Sequence, residues 1–243
     1  VLTVVDYYDV VDLGTKHGNA ITTFLNVVIN KANQKVIPQL ADVNFNVKEL
    51  KASNCVGIER PQAEGYRDIV EKKGYKFSTL DLSSETSLDK LPKGKAYLLW
   101  HFLEHLPNKQ TSQVVLQKSL DQATGLVWCR LPSFQQDKET GEGVLRQLGL
   151  RFTWTHWTGH TCPWLVEDCV NTIKNWQKAN KDRSSVIVVK PCEYMIDTND
   201  NRIVPINAPI DVQKYDKSMG KKPFKKFDNK VVAAWEVVTI FLS

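Results

Sequence analysis

The feature that most constrains this 243-residue chain is an alternation of short apolar runs with helical stretches. Tyr7-Tyr8-Asp9-Val10-Val11-Asp12-Leu13 reads as a buried strand closed by Gly14, and a helix is expected from Asn19 to about Asn30, with Ile21, Phe24, Leu25 and Val28 on one face. Cys55-Val56-Gly57-Ile58-Glu59 is a second strand ending on an acid. Pro61 then suits the first turn of a helix that carries Tyr66, Ile69 and Val70 and stops at Gly74. Tyr75 to Leu82 is a third strand ending on Asp81, Ala96 to Trp100 a fourth, and Gly125 to Leu131 a fifth, stopped by Pro132. Helices are expected over 110–122 and from Leu165 to Ala179, a sixth strand from Val186 to Val189 and a seventh from Trp235 to Leu242.

Strands that alternate with helices predict a mostly parallel sheet covered on both faces. The expected fold is α/β: a doubly wound, mostly parallel seven-stranded sheet in a single domain, residues 1–243. The connection over 191–230 shows no convincing helix, so the last strand is expected to run antiparallel, at the sheet edge. Residues 31–52 read as an insertion around Pro38, consistent with a lid or an extra helix.

Composition narrows the setting. Hydrophobic residues make up 42% and charged residues 24%, a globular balance rather than a disordered one. No apolar run approaches the roughly 20 residues of a membrane helix, so no membrane partner is expected. The N-terminus lacks a basic region followed by an apolar core, so no export signal is read there. The chain starts at Val1 rather than Met, as a processed, trimmed or partial chain would. Five scattered cysteines without a CxxC pair favour buried or free thiols in a reducing, cytoplasmic compartment. A net charge of +5 permits an anionic substrate without requiring nucleic acid.

In a doubly wound sheet, ligands bind beyond the carboxyl ends of the strands. That rule selects Asp12–Asn19, Glu59, Asp81 and His101–His105. Gly14 and Gly18 let backbone amides approach a ligand, and the helix behind them favours a carboxylate or polar group. Gly14 also fits a plain turn. Glu59, at the end of its strand, can accept from both ribose hydroxyls of a nucleoside, or can be a solvated acid beside Arg60. Asp81 can reach an adenine amino group, or can serve the turn before Ser83-Ser84.

Taken together, these residues resemble the class I S-adenosylmethionine (SAM)-dependent methyltransferases over nearly the whole chain. The Asp12–Gly18 turn resembles the family's glycine-rich first motif, Glu59 its ribose-binding acid, and Asp81 its adenine-contacting acid. Leu103-Glu104-His105-Leu106-Pro107 resembles a segment that follows the fourth strand in members modifying small molecules. The resemblance implies SAM as cofactor, held by Asp12, Gly14, Lys16, Gly18, Glu59, Asp81, Leu82 and His101, with S-adenosylhomocysteine as product. Lys16 stands where the family has glycine. Its side chain either crowds the methionine end of the ligand or pairs with the carboxylate.

Four of the five histidines form two close pairs, His101 with His105 and His156 with His160. His101, then His160, are the candidate catalytic bases. The expected metal content is none. The alternative is a site made by Glu104, His105 and His160, as some small-RNA 2′-O-methyltransferases hold a metal with a comparable set. The aromatic cluster Phe152-Thr153-Trp154-Thr155-His156-Trp157, with Trp164, reads chiefly as packing, and otherwise as a wall for a planar or cationic substrate. The basic run from Lys214 to Phe227 reads as solvated, with an anionic or nucleic-acid partner as the sharper alternative. The function read from these features is SAM-dependent methyl transfer to a small-molecule acceptor. The alternatives are a metal-assisted RNA or nucleotide methyltransferase and a non-catalytic binding module.

Overall fold

The computed structural model describes residues 6–29, 50–134, 141–195, 197–227 and 232–242. Nine strands and six helices alternate along them. In chain order they are β1 (Tyr7–Leu13), α1 (Asn19–Ile29), β2 (Cys55–Glu59), α2 (Arg67–Glu71), β3 (Lys76–Thr79), α3 (Glu85–Leu88), β4 (Lys93–Trp100), α4 (Lys109–Gln122), β5 (Ala123–Pro132), α5 (Gly141–Arg146), β6 (Leu150–Phe152), α6 (Val166–Ala179), β7 (Ser185–Met195), β8 (Ile203–Pro205) and β9 (Val232–Leu242).

Seven strands form one sheet in the order β3-β2-β1-β4-β5-β9-β7. The first five are parallel, and β9 runs antiparallel to both β5 and β7. The expected antiparallel last strand is present, but it lies inside the sheet rather than at its edge, which β7 occupies. The physical reason is that β9 supplies hydrogen bonds to two neighbours at once, from Leu126↔Phe241 on one side and Val186↔Phe241 on the other.

The apolar runs form strands because both faces of the sheet are covered. On one face Val11, Leu13, Tyr97, Leu99, Val127 and Cys129 pack with Val115 and Leu116 of α4 and Ile173 and Trp176 of α6. On the other, Val10, Ala96, Leu98 and Trp128 pack with Ile21, Phe24 and Leu25 of α1. Helix α4 is capped by the preceding Asn108, whose side chain accepts the Thr111 N–H at 2.9 Å. Cys55, Cys129, Cys162 and Cys169 are buried free thiols. No helix among the described residues is long and apolar enough to cross a membrane.

A satellite unit escapes the sequence pattern. β6 and β8 pair antiparallel, Leu150↔Pro205 to Phe152↔Ile203, over a small core that includes Val144, Leu145 and Phe227. The third strand ends at Thr79, so Asp81 sits in the following turn rather than on the strand. Of the expected insertion 31–52, residues 31–49 lie outside the described residues. Ala52–Asn54 form a 3-10 turn leading into β2.

Candidate functional site

After β1 the chain builds the sheet in one direction, through β2 to β3, and then returns to place β4 on the other side of β1. The ends of β1 and β4 therefore flank a topological switch point, where a crevice opens beyond the strand ends. A cleft of about 750 Å³ lies there, lined by Gly14, Lys16, Glu59, Asp81, Leu82, His101 and Phe102, among others.

Main chain shapes the β1–β2 side. Gly14 has φ 72°, and a Cβ there would come within 2.5 Å of the Phe102 ring. The ring closes the cleft floor only because Gly14 lacks a side chain. Lys16 also has a left-handed backbone, φ 43°, and its N–H donates to Glu59 Oε1 at 3.0 Å. The Arg60 N–H donates to the other oxygen, Oε2, at 3.2 Å. One backbone donor on each oxygen fixes the carboxylate and leaves acceptor capacity on both. Asp81 accepts the Ser83 N–H at 3.0 Å and its hydroxyl at 2.6 Å through Oδ1. These two bonds hold its carboxyl below the usual carboxylate range.

Two of the residues selected for cofactor binding do not line the cleft. Asp12 is buried behind the turn, with no hydrogen bond to Oδ2 among the described residues. Burial pushes its carboxyl up to about 7; the Thr15 hydroxyl opposes the shift and the nearby Glu59 adds to it. Gly18 (φ 67°) packs against Tyr75 instead, and its N–H closes the turn on the Thr15 carbonyl.

Side chains shape the β4 side. His101 leaves β4 with φ 48°, a conformation that non-glycine residues hold only where their surroundings enforce it. Its N–H donates to the Arg130 carbonyl at 2.8 Å. Leu103–His105 then form a 3-10 turn that buries Glu104 completely. Neither Glu104 oxygen has a hydrogen-bond partner among the described residues. His101 Nδ1 lies 3.6 Å and His105 Nε2 4.0 Å from Glu104 Oε1.

The segment after β6 completes this side. It is tied to the Leu103–His105 turn by the Cys162 N–H on the Glu104 carbonyl at 3.0 Å and the Thr161 hydroxyl on the Leu106 carbonyl at 2.7 Å. His105 Nδ1 is 2.8 Å from the Gly159 carbonyl, and His160 Nδ1 is 2.9 Å from the Trp154 carbonyl. A carbonyl only accepts, so each Nδ1 carries the proton and each Nε2 keeps its lone pair. Burial holds His160 below the usual imidazole value, which favours that neutral form. Ligand atoms of Glu104, His105 and His160 lie within 4.8 Å of one another. A buried carboxylate without a hydrogen-bond partner among the described residues, beside two half-buried imidazoles, is a donor set suited to a cation.

The structure thus brings Gly14, Lys16, Glu59, Asp81, Leu82, His101 and His105 to one cleft, with Glu104 and His160 grouped with His105 at its side. His156 is exposed and stands apart from that group. Sequence reasoning missed Phe102, Arg60, Gln62 and Tyr66 as lining residues. Phe102 could have been found as the residue one past the strand-end His101, facing a glycine turn. Of the aromatic cluster, Trp157 lines the cleft, while Phe152 and Trp154 stack on each other at 4.2 Å in the satellite core. In the basic run, Lys222 turns inward to the Asp200 and Ile203 carbonyls at 2.6 and 2.9 Å.

Comparison with solved structures identifies the architecture as the class I SAM-dependent methyltransferase fold. The chain matches an O-methyltransferase family protein from Burkholderia thailandensis at TM-score 0.53 and 8% identity, over 96% of this chain and 50% of that one. It matches a SAM-dependent methyltransferase from Archaeoglobus fulgidus at TM-score 0.54 and 12% identity, over 98% of this chain and 87% of that one. The chain therefore spans about half the length of the Burkholderia protein. No protein-family model and no curated protein matches the sequence.

Proposed function

We propose that the chain is a SAM-dependent methyltransferase acting on a small-molecule acceptor. The observation that carries this reading is the Glu59 carboxylate, held by two backbone N–H groups at the rim of a cleft opened by Gly14. Its remaining lone pairs suit the two hydroxyls of a ribose. Asp81 and Leu82 lie on the adenine side, and Lys16 stands beside the turn where the methionine carboxylate would rest. The bound cofactor supplies an electrophilic methyl on a sulfonium, so the chain has mainly to align the acceptor and accept its proton.

His101 is the first candidate for that proton. It lines the cleft, and Glu104 Oε1 at 3.6 Å from Nδ1 can orient the ring and stabilise its protonated form. His160 is the second, in neutral form but set back from the cleft lining. The inward turn of Lys222, which takes one ammonium of the basic run out of reach, supports a small acceptor over a long polyanion.

A second reading has a specific observation behind it. Glu104, His105 and His160 fit a divalent cation by chemistry and by spacing. A cation there would act as a Lewis acid on an acceptor hydroxyl. This chain's own part is to keep two imidazoles neutral through the Gly159 and Trp154 carbonyls and to hold a buried carboxylate between them.

The test is release of S-adenosylhomocysteine from SAM with a panel of hydroxylated and amine small molecules and, separately, short RNAs. Turnover with small molecules that survives EDTA is the expected result. Turnover on RNA alone, abolished by EDTA and restored by manganese, would favour the second reading. Absence of product with either panel contradicts both.

A further inference from the structure

Between β7 and β9 the chain makes a long excursion through β8, and at one point it returns to the rim of the cleft. That point is Asp211, whose backbone is left-handed at φ 64°. Its carboxylate is taken up by one residue. Oδ1 accepts the Thr158 N–H at 2.6 Å, and the Thr158 hydroxyl lies 3.0 Å from Oδ1 and 2.9 Å from Oδ2. The Asp211 N–H also points at the His156 carbonyl at 3.5 Å.

Thr158 sits between Trp157 and Gly159, both of which line the cleft. The Gly159 carbonyl is the group that holds His105 Nδ1 at 2.8 Å. In the same turn the His160 N–H donates to the Trp157 carbonyl at 3.0 Å. A continuous path therefore runs from the Asp211 carboxylate through Thr158 and Gly159 to the imidazole whose Nε2 faces Glu104.

The geometry points to Asp211 as a positioning residue. Its carboxylate pins the Trp157–His160 turn, and through the Gly159 carbonyl it fixes His105 in the Nδ1–H form with Nε2 turned toward Glu104. This rests on the reading of Glu104, His105 and His160 as a functional group of the cleft. Asp211 and Thr158 are both exposed, and hydrogen bonds in such a place add little to global stability. What they control is orientation, as outer partners of a ligand histidine do when they fix its tautomer.

The experiment compares wild type with Asp211→Ala, which removes both acceptor oxygens, Asp211→Asn, which keeps one, and Thr158→Val, which removes the hydroxyl. Long-range proton–nitrogen spectra of the metal-free proteins, recorded where imidazoles are neutral, read the His105 tautomer. Cobalt(II) titration then reads the cluster through its visible absorption. Wild type and Asp211→Asn are expected to show His105 as Nδ1–H. Asp211→Ala is expected to show a tautomer mixture and about tenfold weaker cobalt binding, with an unchanged far-ultraviolet circular dichroism spectrum. Thr158→Val should fall between them. An unchanged tautomer together with unchanged cobalt affinity in Asp211→Ala overturns the inference. If wild type binds no cobalt while Asp211→Ala still shifts the tautomer, the positioning role stands and the metal reading falls.

Discussion

Where β1 and β2 end, the cleft is held by main chain; where β4 ends, it is held by side chains from distant segments. On the first side, Gly14 yields space to Phe102, and two backbone N–H groups fix Glu59. Every part lies at the end of a parallel strand, and the register Leu13↔Ile58 sets their spacing. On the second side, a buried carboxylate and two imidazoles meet, with a remote aspartate tied to the turn behind them, only because the segment after β6 folds back over the Leu103–His105 turn. The contrast teaches that a ligand cradle can follow from the sheet, whereas a reactive cluster here depends on tertiary hydrogen bonds.

The sharpest way to break the comparison is Gly14→Val. A side chain at φ 72° is strained, and its Cβ meets Phe102 at 2.5 Å. The variant is expected to lose about 3 kcal/mol in urea unfolding and all measurable SAM binding. Cobalt affinity at the β4 side should change little if the two sides are independent.

Glu104→Gln attacks the other side. Cobalt affinity is expected to fall more than about 100-fold, beyond the range for losing an outer partner, with SAM binding kept within about threefold. Equal losses of both ligands would show that the two sides are one unit.

Asp12 tests the support beneath the first side. Burial raises its carboxyl from 3.8 to about 7. Between those values the folded protein keeps a proton that the unfolded chain has released, so stability falls as pH rises from about 4 to about 7 and levels off above. Asp12→Asn removes that fall. Unfolding at about pH 8 should find the variant more stable than wild type by about 4 kcal/mol, and at about pH 4 nearly equal. A gain at low pH instead would contradict the assignment.

Lys16→Gly is the mildest probe. Relief of the left-handed backbone at φ 43° is expected to stabilise by about 1 kcal/mol. A weaker affinity for SAM, with no change for adenosine alone, would show that the ammonium meets the cofactor carboxylate. Tighter SAM binding would show that the side chain crowds it.

The sheet was legible because its strands are buried on both faces and so appear as apolar runs, as at Val10-Val11 and Leu98-Leu99. The position of β9 was not, because order along the chain does not state order across a sheet. β6 and β8 were invisible for a different reason. Three-residue strands carry no period, and Phe152↔Ile203 pairs residues about fifty apart in sequence. In the site, order along the chain and strand-end placement together point to Gly14 and Glu59, and both line the cleft. Asp12 is buried and does not line the cleft, a difference the sequence does not carry because an acid near the end of β1 reads the same whether it faces the crevice or lies behind the turn. The Gly159 carbonyl and Asp211 left no trace, since a backbone acceptor has no sequence signature and a lone aspartate in a loop is common.

The most direct test of the account is calorimetric titration of SAM and S-adenosylhomocysteine into wild type and Glu59→Ala. Micromolar binding of both by wild type, lost in the variant while its circular dichroism is unchanged, is the result the account predicts. Absence of binding by folded wild type, or equal binding by Glu59→Ala, would contradict it.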